Sequence, residues 1–195
     1  MKKLKEIQKC QNCNLCRNQP PLLDDLKKAQ VFWVGLSAVK VNDTGSDVPL
    51  STKTNSGKLI SDVEKKNKYV SYYKTNLVKC LPMKDNKIRY PNVREMECCH
   101  NNLRIEIKQS KPRVIFLLGK IVSDFIMGIE KAIKPNLDES FNYKSHKINN
   151  IYYIPVHHPS YILVYKRKFL KQYISKISEL AVNLAKGIDK TLRLW

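Results

Sequence analysis

The sequence predicts an α/β protein, a three-layer α/β/α sandwich around a central, mostly parallel four-stranded sheet. Apolar runs of strand length alternate with segments of helix length, which is typical of strand–helix–strand units. These runs are continuous in apolar residues, as in strands that helices cover on both faces. The chain has 195 residues and no internal repeat, so we expect one domain over residues 1–195.

Each element can be placed in order along the chain. The predicted strands cover 31–37, 69–75, 113–119 and 151–156. Helices are predicted near 22–29, 56–64, 93–109 and 121–129, and an asparagine-rich segment covers 134–150. Apolar residues at 170, 173, 174, 177, 180, 181 and 184 predict a long amphipathic C-terminal helix.

The charge balance favours a polyanionic partner. Lys and Arg number 36 against 17 Asp and Glu, which gives a formal net charge of +19 spread along the chain. Nucleic acid is the polyanion that such a surface most often binds, although a lysine-rich protein without such a partner is the alternative. No apolar run approaches the roughly 20 residues that span a bilayer. We therefore expect a cytoplasmic protein without membrane contact, without an obligate protein partner, and monomeric.

Polar residues follow three of the predicted strands. These clusters are Gly35–Asp43, Asn76–Cys80 and His157–Ser160. Open parallel sheets bind ligands at the carboxyl ends of their strands, so the clusters are expected to form one pocket. Asn76 is placed to read a ligand, and Cys80 is placed to anchor the loop that follows it.

The cysteines predict a metal site. Helical periodicity puts Cys99 on the same inward face as Met96 and Leu103, while Cys98 is turned about 100° away. The predicted ligands are Cys10, Cys13, Cys80 and Cys99, with Cys16 in reserve. Four thiolates can hold zinc or a [4Fe–4S] cluster; one close pair plus two dispersed cysteines suits the cluster better. Zinc in the same site, and six reduced cysteines without a metal, remain alternatives.

Taken together, the motifs resemble those of the iron–sulfur (family 4) uracil-DNA glycosylases, over about residues 8–165. The matching motifs are Cys10-x-x-Cys13, Val34-Gly35, Asp43-Thr44-Gly45, Thr75 to Cys80, Glu95/Cys99/Leu103, Ile115 to Gly119 and His158-Pro159-Ser160. The Thr-Asn-x-Val-Lys-Cys and His-Pro-Ser motifs are the most specific. The resemblance implies a [4Fe–4S] cluster of structural use, and it supports Cys99 over Cys98.

The resemblance also implies the chemistry. A monofunctional DNA N-glycosylase extrudes a nucleotide and hydrolyses its glycosidic bond, leaving an abasic site. Asn76 is similar to the residue that reads the base through its amide. His158 is similar to the residue that stabilises the departing base as a hydrogen-bond donor.

The resemblance implies a DNA-binding segment after the last strand. The chain from Ser160 onward is expected to enter the minor groove, where Tyr161, Ile162 or Leu163 could fill the space left by the base. Basic residues at the start of the last helix are expected to bind phosphates. They are Lys166, Arg167 and Lys168.

The first motif departs from the family pattern. Family members carry Gly-Glu-x-Pro-Gly after the first strand, whereas this chain has Gly-Leu-Ser-Ala-Val from Gly35. The acidic residue that activates water is therefore missing at that position. Asp43, beside Asn42, is predicted to orient or activate water instead, with loop capping as its alternative role. Gly35 and Ser37 remain candidate base-binding residues.

A second departure concerns the substrate. Where family members have Pro-Phe, with the Phe stacked on uracil, this chain has Pro49-Leu50, so the stack is lost or replaced by Tyr72 or Phe32. Leu50 then leaves room for a bulkier base. A 5-modified cytosine or uracil, such as a hypermodified base of phage DNA in a defence role, is therefore an alternative substrate to uracil. A catalytically weak DNA-binding protein with the same fold and cluster is the alternative from another class.

Overall fold

The computed structural model describes residues 4–130, 137 and 140–188. Its strands are β1 (Val31–Ser37), β2 (Tyr72–Val78), β3 (Met83–Lys84), β4 (Lys87–Ile88), β5 (Val114–Leu118), β6 (His146–Ile148) and β7 (Ile151–Val156). The central sheet has the order β2-β1-β5-β7-β6. The first four of these strands are parallel, and β6 pairs antiparallel with β7. β3 and β4 form a separate hairpin.

Helices cover both faces of the sheet. They are α1 (Lys5–Gln8), α2 (Asn55–Lys65), α3 (Val93–Ser110), α4 (Lys120–Ile129), α5 (Pro159–Tyr165) and α6 (Leu170–Ala185). Along β1, Val31 and Trp33 pack on the side of α2, α5 and α6, whereas Phe32 and Val34 pack on the side of α3 and α4. Successive residues of a strand point to opposite faces of the sheet. All four of these side chains are buried because helices cover both faces. The predicted α/β/α sandwich is therefore confirmed.

The sheet has one strand more than the four predicted. β6 is only three residues long and lies in the asparagine-rich segment, so it has no apolar run to mark it. Asn149 and Asn150 join it to β7 with φ angles of 48° and 65°. Two consecutive positive φ angles are the signature of a type I′ hairpin turn, which asparagine tolerates.

Two predicted elements are corrected. β2 begins at Tyr72 and ends at Val78, later than predicted, because a turn closed by the Val70 N–H and the Asn67 carbonyl precedes it. Asn76 therefore lies within the strand. The segment 22–29, predicted as a helix, has no regular secondary structure. Its backbone is used in tertiary contacts instead, since the Leu22 N–H donates to the Lys79 carbonyl at 2.8 Å.

Side-chain caps fix the N-termini of α2 and α3. Asn92 and Glu95 form a reciprocal capping box at the start of α3. Thr54 accepts a hydrogen bond from the Gly57 N–H at the start of α2. No helix in the described part of the chain is long and apolar enough to cross a membrane.

Candidate active site and cysteine cavity

A cleft of about 890 Å³ opens at the carboxyl edge of the parallel strands. It lies between the ends of β1 and β2, the loop after β5, the start of α5 and the β3–β4 hairpin. Predicted site residues in its lining are Gly35, Ser37, Leu50, Asn76, His158, Ser160 and Tyr161. The strand order puts two strands between Asn76 on β2 and the end of β7, so their backbones are roughly 14 Å apart at about 4.8 Å per strand.

The carboxamide of Asn76 lies at the floor of this cleft. Asn76 pairs in register with Gly35, and a Cβ on Gly35 would lie 2.3 Å from Asn76 Oδ1. Gly35 is therefore needed for the amide to occupy its position. Asn76 is 3% exposed, and its carboxamide makes no hydrogen bond to any described residue. A buried amide without a partner at a cleft floor is available to a ligand.

A buried ion pair holds the backbone of Asn76 from below. Lys79 Nζ lies 2.6 Å from the Asn76 carbonyl oxygen, 2.6 Å from Thr75 Oγ1 and 2.5 Å from Glu106 Oε2. The carboxylate of Glu106 also accepts hydrogen bonds from Thr75 Oγ1 and Tyr73 OH. Both charged side chains are fully buried, so their charges are neutralised by each other and by this network.

Sequence reasoning missed Glu106, although a signal was present. Glu106 follows Cys99 and Leu103 on the inward face of α3. A carboxylate on a buried face is almost always paired, so its position predicts a buried cation beside it. The raised pKa of the Tyr73 phenol, caused by burial and then by the Glu106 charge, fits its role as a donor to that carboxylate.

His158 lies on the opposite side of the cleft as the N-cap of α5. The Ser160 N–H is 3.2 Å from His158 Nδ1, and Ser160 Oγ is 2.7 Å from it. A backbone N–H can only donate, so Nδ1 accepts and the neutral ring carries its proton on Nε2. Burial lowers the pKa of His158 below its ordinary 6.5, which favours this neutral form. The cleft therefore contains a neutral imidazole whose Nε2–H has no acceptor among the described residues.

Gly119 makes room for this ring. It precedes α4 with a φ of 91°, and a Cβ there would lie 3.2 Å from His158 Cβ. The neighbouring His157 faces away from the cleft. Its Nδ1 is 2.8 Å from Tyr143 OH, its ring stacks on Tyr161 at 5.2 Å, and its carbonyl accepts from Tyr173 OH. His157 therefore has a structural role beneath α5.

Leu50 forms part of the cleft wall in an unusual conformation. Its φ is 51°, a left-handed value that a leucine rarely adopts. The carbonyls of Leu50 and Ser51 lie so close to Gly57 that a Cβ there would meet them at 2.5 and 2.0 Å. The start of α2 thus fixes the strained turn, and Leu50 Cδ2 comes within 3.5 Å of the Cβ position of Gly35.

The aromatic residues predicted to replace the lost stack lie elsewhere. Phe32 is fully buried in the core on the α3 side of the sheet. Tyr72 is half-buried and stacks on Trp33 with ring centroids 6.1 Å apart. Neither residue lines the cleft.

The structure does not bring Asn42 or Asp43 to the cleft. Both are exposed, and neither belongs to its lining. Asp43 Oδ1 accepts from the Gly45 N–H at 2.7 Å, and Oδ2 accepts from Ser46 Oγ at 2.8 Å. These contacts match the alternative role that the sequence allowed, a carboxylate that caps its own loop.

The predicted DNA-binding residues divide into three groups. Ser160 and Tyr161 line the cleft, whereas Ile162 is fully buried and Leu163 packs against the core. The exposed apolar residues of α5 are instead Val164 and Tyr165. The basic residues lie at the end of α5 and in a one-turn 3-10 helix before α6: Lys166, Arg167 and Lys168.

Several cleft residues were absent from the sequence predictions. Ile88, Arg89 and Tyr90 enter the lining from the β3–β4 hairpin, and Lys120 enters from the start of α4. The hairpin turn consists of Asp85–Asn86, with φ angles of 51° and 59°. This two-residue turn was a readable signal, because Asp and Asn are favoured where both φ angles are positive.

A second, small cavity collects the cysteines. It lies between the N-terminal segment, the end of β2 and the start of α3, and all six cysteines line it. The predicted ligands Cys10, Cys13, Cys80 and Cys99 are among them, as are Cys16 and Cys98. Within the described residues, no group of three or more Cys, His, Asp or Glu side chains is placed so that it could hold a metal ion as it stands.

The surroundings of the sulfurs suit thiolate ligands. The Lys79 N–H donates to Cys99 Sγ at 3.2 Å, and Asn102 Nδ2 donates to Cys10 Sγ at 3.3 Å. Hydrogen bonds of this kind stabilise metal-bound sulfur. Burial raises the pKa of the Cys80 and Cys99 thiols, and the nearby Lys79 opposes the effect at Cys99. A cation bound in the cavity would supply the charge that these thiols need to ionise.

Comparison with known proteins agrees with this geometry. Residues 22–181 match the family model of the Uracil DNA glycosylase superfamily. The chain is also similar to the Type-4 uracil-DNA glycosylase of Archaeoglobus fulgidus, with 24% identity over 198 residues that span 91% of this chain and 90% of the archaeal protein. The resemblance inferred from the motifs is thereby confirmed. The chain belongs to the uracil DNA glycosylase superfamily.

Proposed function

We propose that the protein is a DNA glycosylase that extrudes a uracil-type base into the cleft and hydrolyses its glycosidic bond. Family membership supports this proposal, and one observation carries it. The buried carboxamide of Asn76 has no partner among the described residues, at the floor of a largely apolar cleft. Because this amide faces the cleft, a bound base edge can supply both a donor and an acceptor to it.

The first step is recognition of the base. The amide of Asn76 offers one acceptor and a donor, and uracil presents a carbonyl acceptor and a ring N–H donor on its Watson–Crick edge. Lys79 and Glu106 keep the backbone of Asn76 fixed while this edge is read. Leu50 provides an apolar surface beside the amide.

The second step is departure of the base. Breaking the glycosidic bond leaves negative charge on the pyrimidine and positive charge on the sugar. The Nε2–H of His158 would donate to the anionic base oxygen, while Ser160 holds Nδ1 and so fixes the ring. One such oriented donor is worth about 2.7–4 kcal/mol of transition-state stabilisation.

No Asp or Glu among the described residues lines the cleft, where the attacking water would have to bind. Asp43, which the sequence favours for this step, caps its own loop and does not line the cleft. A role in water activation therefore requires this loop to rearrange when DNA binds. Asp43→Asn tests the assignment, because the amide keeps the loop contact to the Gly45 N–H but cannot act as a base.

We infer that base release is hydrolytic and without a lyase step. A lyase needs a neutral amine that can form a Schiff base with the sugar. Among the described residues of the cleft lining the lysine is Lys120, and its amine is held in an ion pair with Asp124 at 2.6 Å and not directed at a sugar.

The cysteine cavity would hold a [4Fe–4S] cluster, with zinc in the same site as the alternative. The proposed ligands are Cys10, Cys13, Cys80 and Cys99. When bound, the cluster would join the N-terminal segment to the end of β2 and to α3. Its role would therefore be structural. DNA is the proposed partner, and the net charge of +19 supports it.

The decisive experiment measures base release from a panel of oligonucleotides. They contain uracil, hypoxanthine, or hydroxymethylated or glucosylated cytosine, and each is tested with the native protein and with Asn76→Ala. Release of uracil that the variant abolishes would support the proposal. DNA binding with no release from any oligonucleotide would support the DNA-binding alternative instead.

A 5-modified pyrimidine is the second candidate substrate. The volume of the cleft, about 890 Å³, lies near the upper end of ordinary ligand pockets and exceeds what one pyrimidine ring fills. Leu50 on its wall is smaller than an aromatic side chain. Release of a bulky modified base in preference to uracil would support this candidate and a role in defence against phage DNA.

A further inference from the structure

We infer that Tyr90 binds the extruded base by stacking its ring on it. This inference rests on the proposed function, since it assigns a further residue to the same cleft. Neither the motifs nor family membership assigns a role to this position. The ligand class is a nucleobase, recognised by its flat π-face.

Tyr90 combines exposure with a position in the cleft lining. Its side chain is 74% exposed, although it lines the cleft, as do Leu50 and Ile88. A large aromatic residue left this open on a cleft wall is unusual for a packing residue and typical of a contact surface. Ile88 beside it is 61% exposed, so the hairpin presents an apolar surface to the cleft.

The backbone under Tyr90 is held rigidly. Arg89 forms a bidentate pair with Glu95, through Nη1 at 2.8 Å and Nη2 at 2.5 Å. Nη1 of the same guanidinium donates to the Tyr90 carbonyl at 2.9 Å, and the backbone N–H of Arg89 donates to the Pro82 carbonyl. The main chain is thus fixed to the start of α3 while the phenol ring stays open to a ligand, which lowers the entropy lost on binding.

The other aromatic side chains near the cleft are already used. Tyr161 also lines the cleft, but its ring stacks on His157 at 5.2 Å and contacts Tyr165. Within the described residues, the ring of Tyr90 makes no aromatic contact. Of the two tyrosines in the lining, Tyr90 is therefore the one whose face is available to a base.

The charge of the hairpin agrees with a nucleotide ligand. Lys84 and Lys87 are exposed and paired on its two strands, so the hairpin that presents Tyr90 carries positive charge that attracts phosphates. Stacking tolerates different bases because every base has a π-face, so Tyr90 would strengthen binding while Asn76 selects the base.

The test compares Tyr90→Ala and Tyr90→Phe with Tyr69→Ala. Tyr69 is the matched control, since its side chain is 98% exposed and it does not line the cleft. Base release is measured under single-turnover conditions at subsaturating protein, on an oligonucleotide with the base that the native protein releases. Affinity for the same oligonucleotide with a stable abasic analogue is measured in parallel. Circular dichroism verifies that each variant is folded.

If Tyr90 stacks on the base, Tyr90→Ala lowers the release rate by about 5- to 150-fold, the range of single base–aromatic contacts. Tyr90→Phe and Tyr69→Ala then keep the native rate, and abasic DNA binds all variants equally. An unchanged rate in Tyr90→Ala would overturn the inference alone. If Tyr90→Ala lowered the affinity for abasic DNA as much as it lowers base release, the inference would also be overturned, because the ring would then contact the DNA strand and not the base. Absence of release by the native protein would overturn the proposed function itself.

Discussion

Lys79 and Glu106 form a fully buried ion pair, with Nζ 2.5 Å from Oε2. Through the same ammonium group Lys79 binds the Asn76 carbonyl, and through its backbone N–H it donates to Cys99 Sγ. One residue therefore contacts both the candidate base-reading strand and the cysteine cavity. Any change in this pair is expected to affect both sites.

Lys79→Met should lower the free energy of unfolding by about 3–5 kcal/mol, because it leaves the Glu106 carboxylate buried without its cation. Urea denaturation measures the effect. The matched control is Lys65→Met, which breaks the exposed pair with Asp62 and should change stability by less than about 1 kcal/mol. Adding Glu106→Gln to Lys79→Met should restore part of the loss. Equal effects of the two lysine variants would contradict the prediction.

Gly35→Ala should impair base reading more than folding. The new Cβ would lie 2.3 Å from Asn76 Oδ1 and force the carboxamide to move. A displacement of about 1 Å at a reacting site lowers the rate by about 100-fold. The rate of base release measures this effect. Gly128→Ala is the control, because a Cβ there meets nothing within 4 Å and should stabilise α4 by about 0.5–1 kcal/mol. Native base release by Gly35→Ala would show that Asn76 does not read the base.

His158→Ala should lower the rate of base release by about 100- to 1,000-fold, as expected for loss of one oriented donor. His158→Gln should retain more activity, since its amide is also a neutral donor. If the two variants are equally inactive, donation from a neutral side chain is not the function of His158.

The pH dependence provides a separate test of the neutral imidazole. Burial lowers the folded-state pKa of His158 below 6.5, so its contribution to stability is fully present above pH 6.5 and is lost as pH falls through the lowered pKa. Protonation of Nδ1 would also break the hydrogen bond from the Ser160 N–H. We therefore expect no loss of base release attributable to His158 above pH 6.5, and a decline in more acidic solution that His158→Gln lacks.

Single cysteine variants should distinguish ligands from neighbours in the same cavity. Cys80→Ser and Cys99→Ser should lose bound metal and lower the unfolding temperature, whereas Cys98→Ser and Cys16→Ser should keep the metal. Elemental analysis for iron and zinc, with visible absorbance for a cluster, makes the measurement. Iron in the native protein would support the cluster, and zinc would support the alternative. Loss of metal in Cys98→Ser, with metal retained in Cys99→Ser, would show that Cys98 is the ligand and Cys99 is not.

The fold could be predicted because its signals are local. Continuous apolar runs such as Val31–Ser37 leave few alternatives to a strand that is buried on both faces. The boundaries of β2 could not be read, because Tyr69 to Ser71 have strand-like composition but form a turn and its exit. β6 was missed because a three-residue strand has no hydrophobic periodicity of its own.

The sequence predicted the candidate site residues that lie at or near the ends of strands. It did not predict the positions of residues in loops, which depend on tertiary contacts. Asn76 and His158 reach one cleft because the parallel order of β2, β1, β5 and β7 aligns their carboxyl ends. Asp43 lies in a loop whose path depends on its own hydrogen bonds, so its assignment to water stays a prediction. Tyr90 was missed because its position depends on the bidentate Arg89–Glu95 pair, which composition does not reveal.

The cysteine cavity also constrains the order in which the chain folds. Cys10 and Cys13 belong to the N-terminal segment, whereas Cys80 follows β2 and Cys99 lies on α3, so the two become neighbours when α3 packs on β2. Closing contacts between such distant parts of the chain is slow, because loop entropy is lost before the contact forms. A nascent chain therefore cannot complete the proposed metal site until its N-terminal segment has docked on the end of β2 and on α3. Under metal shortage, the species that accumulates should have a folded sheet and an undocked N-terminal segment, which is the end of the molecule most open to proteolysis.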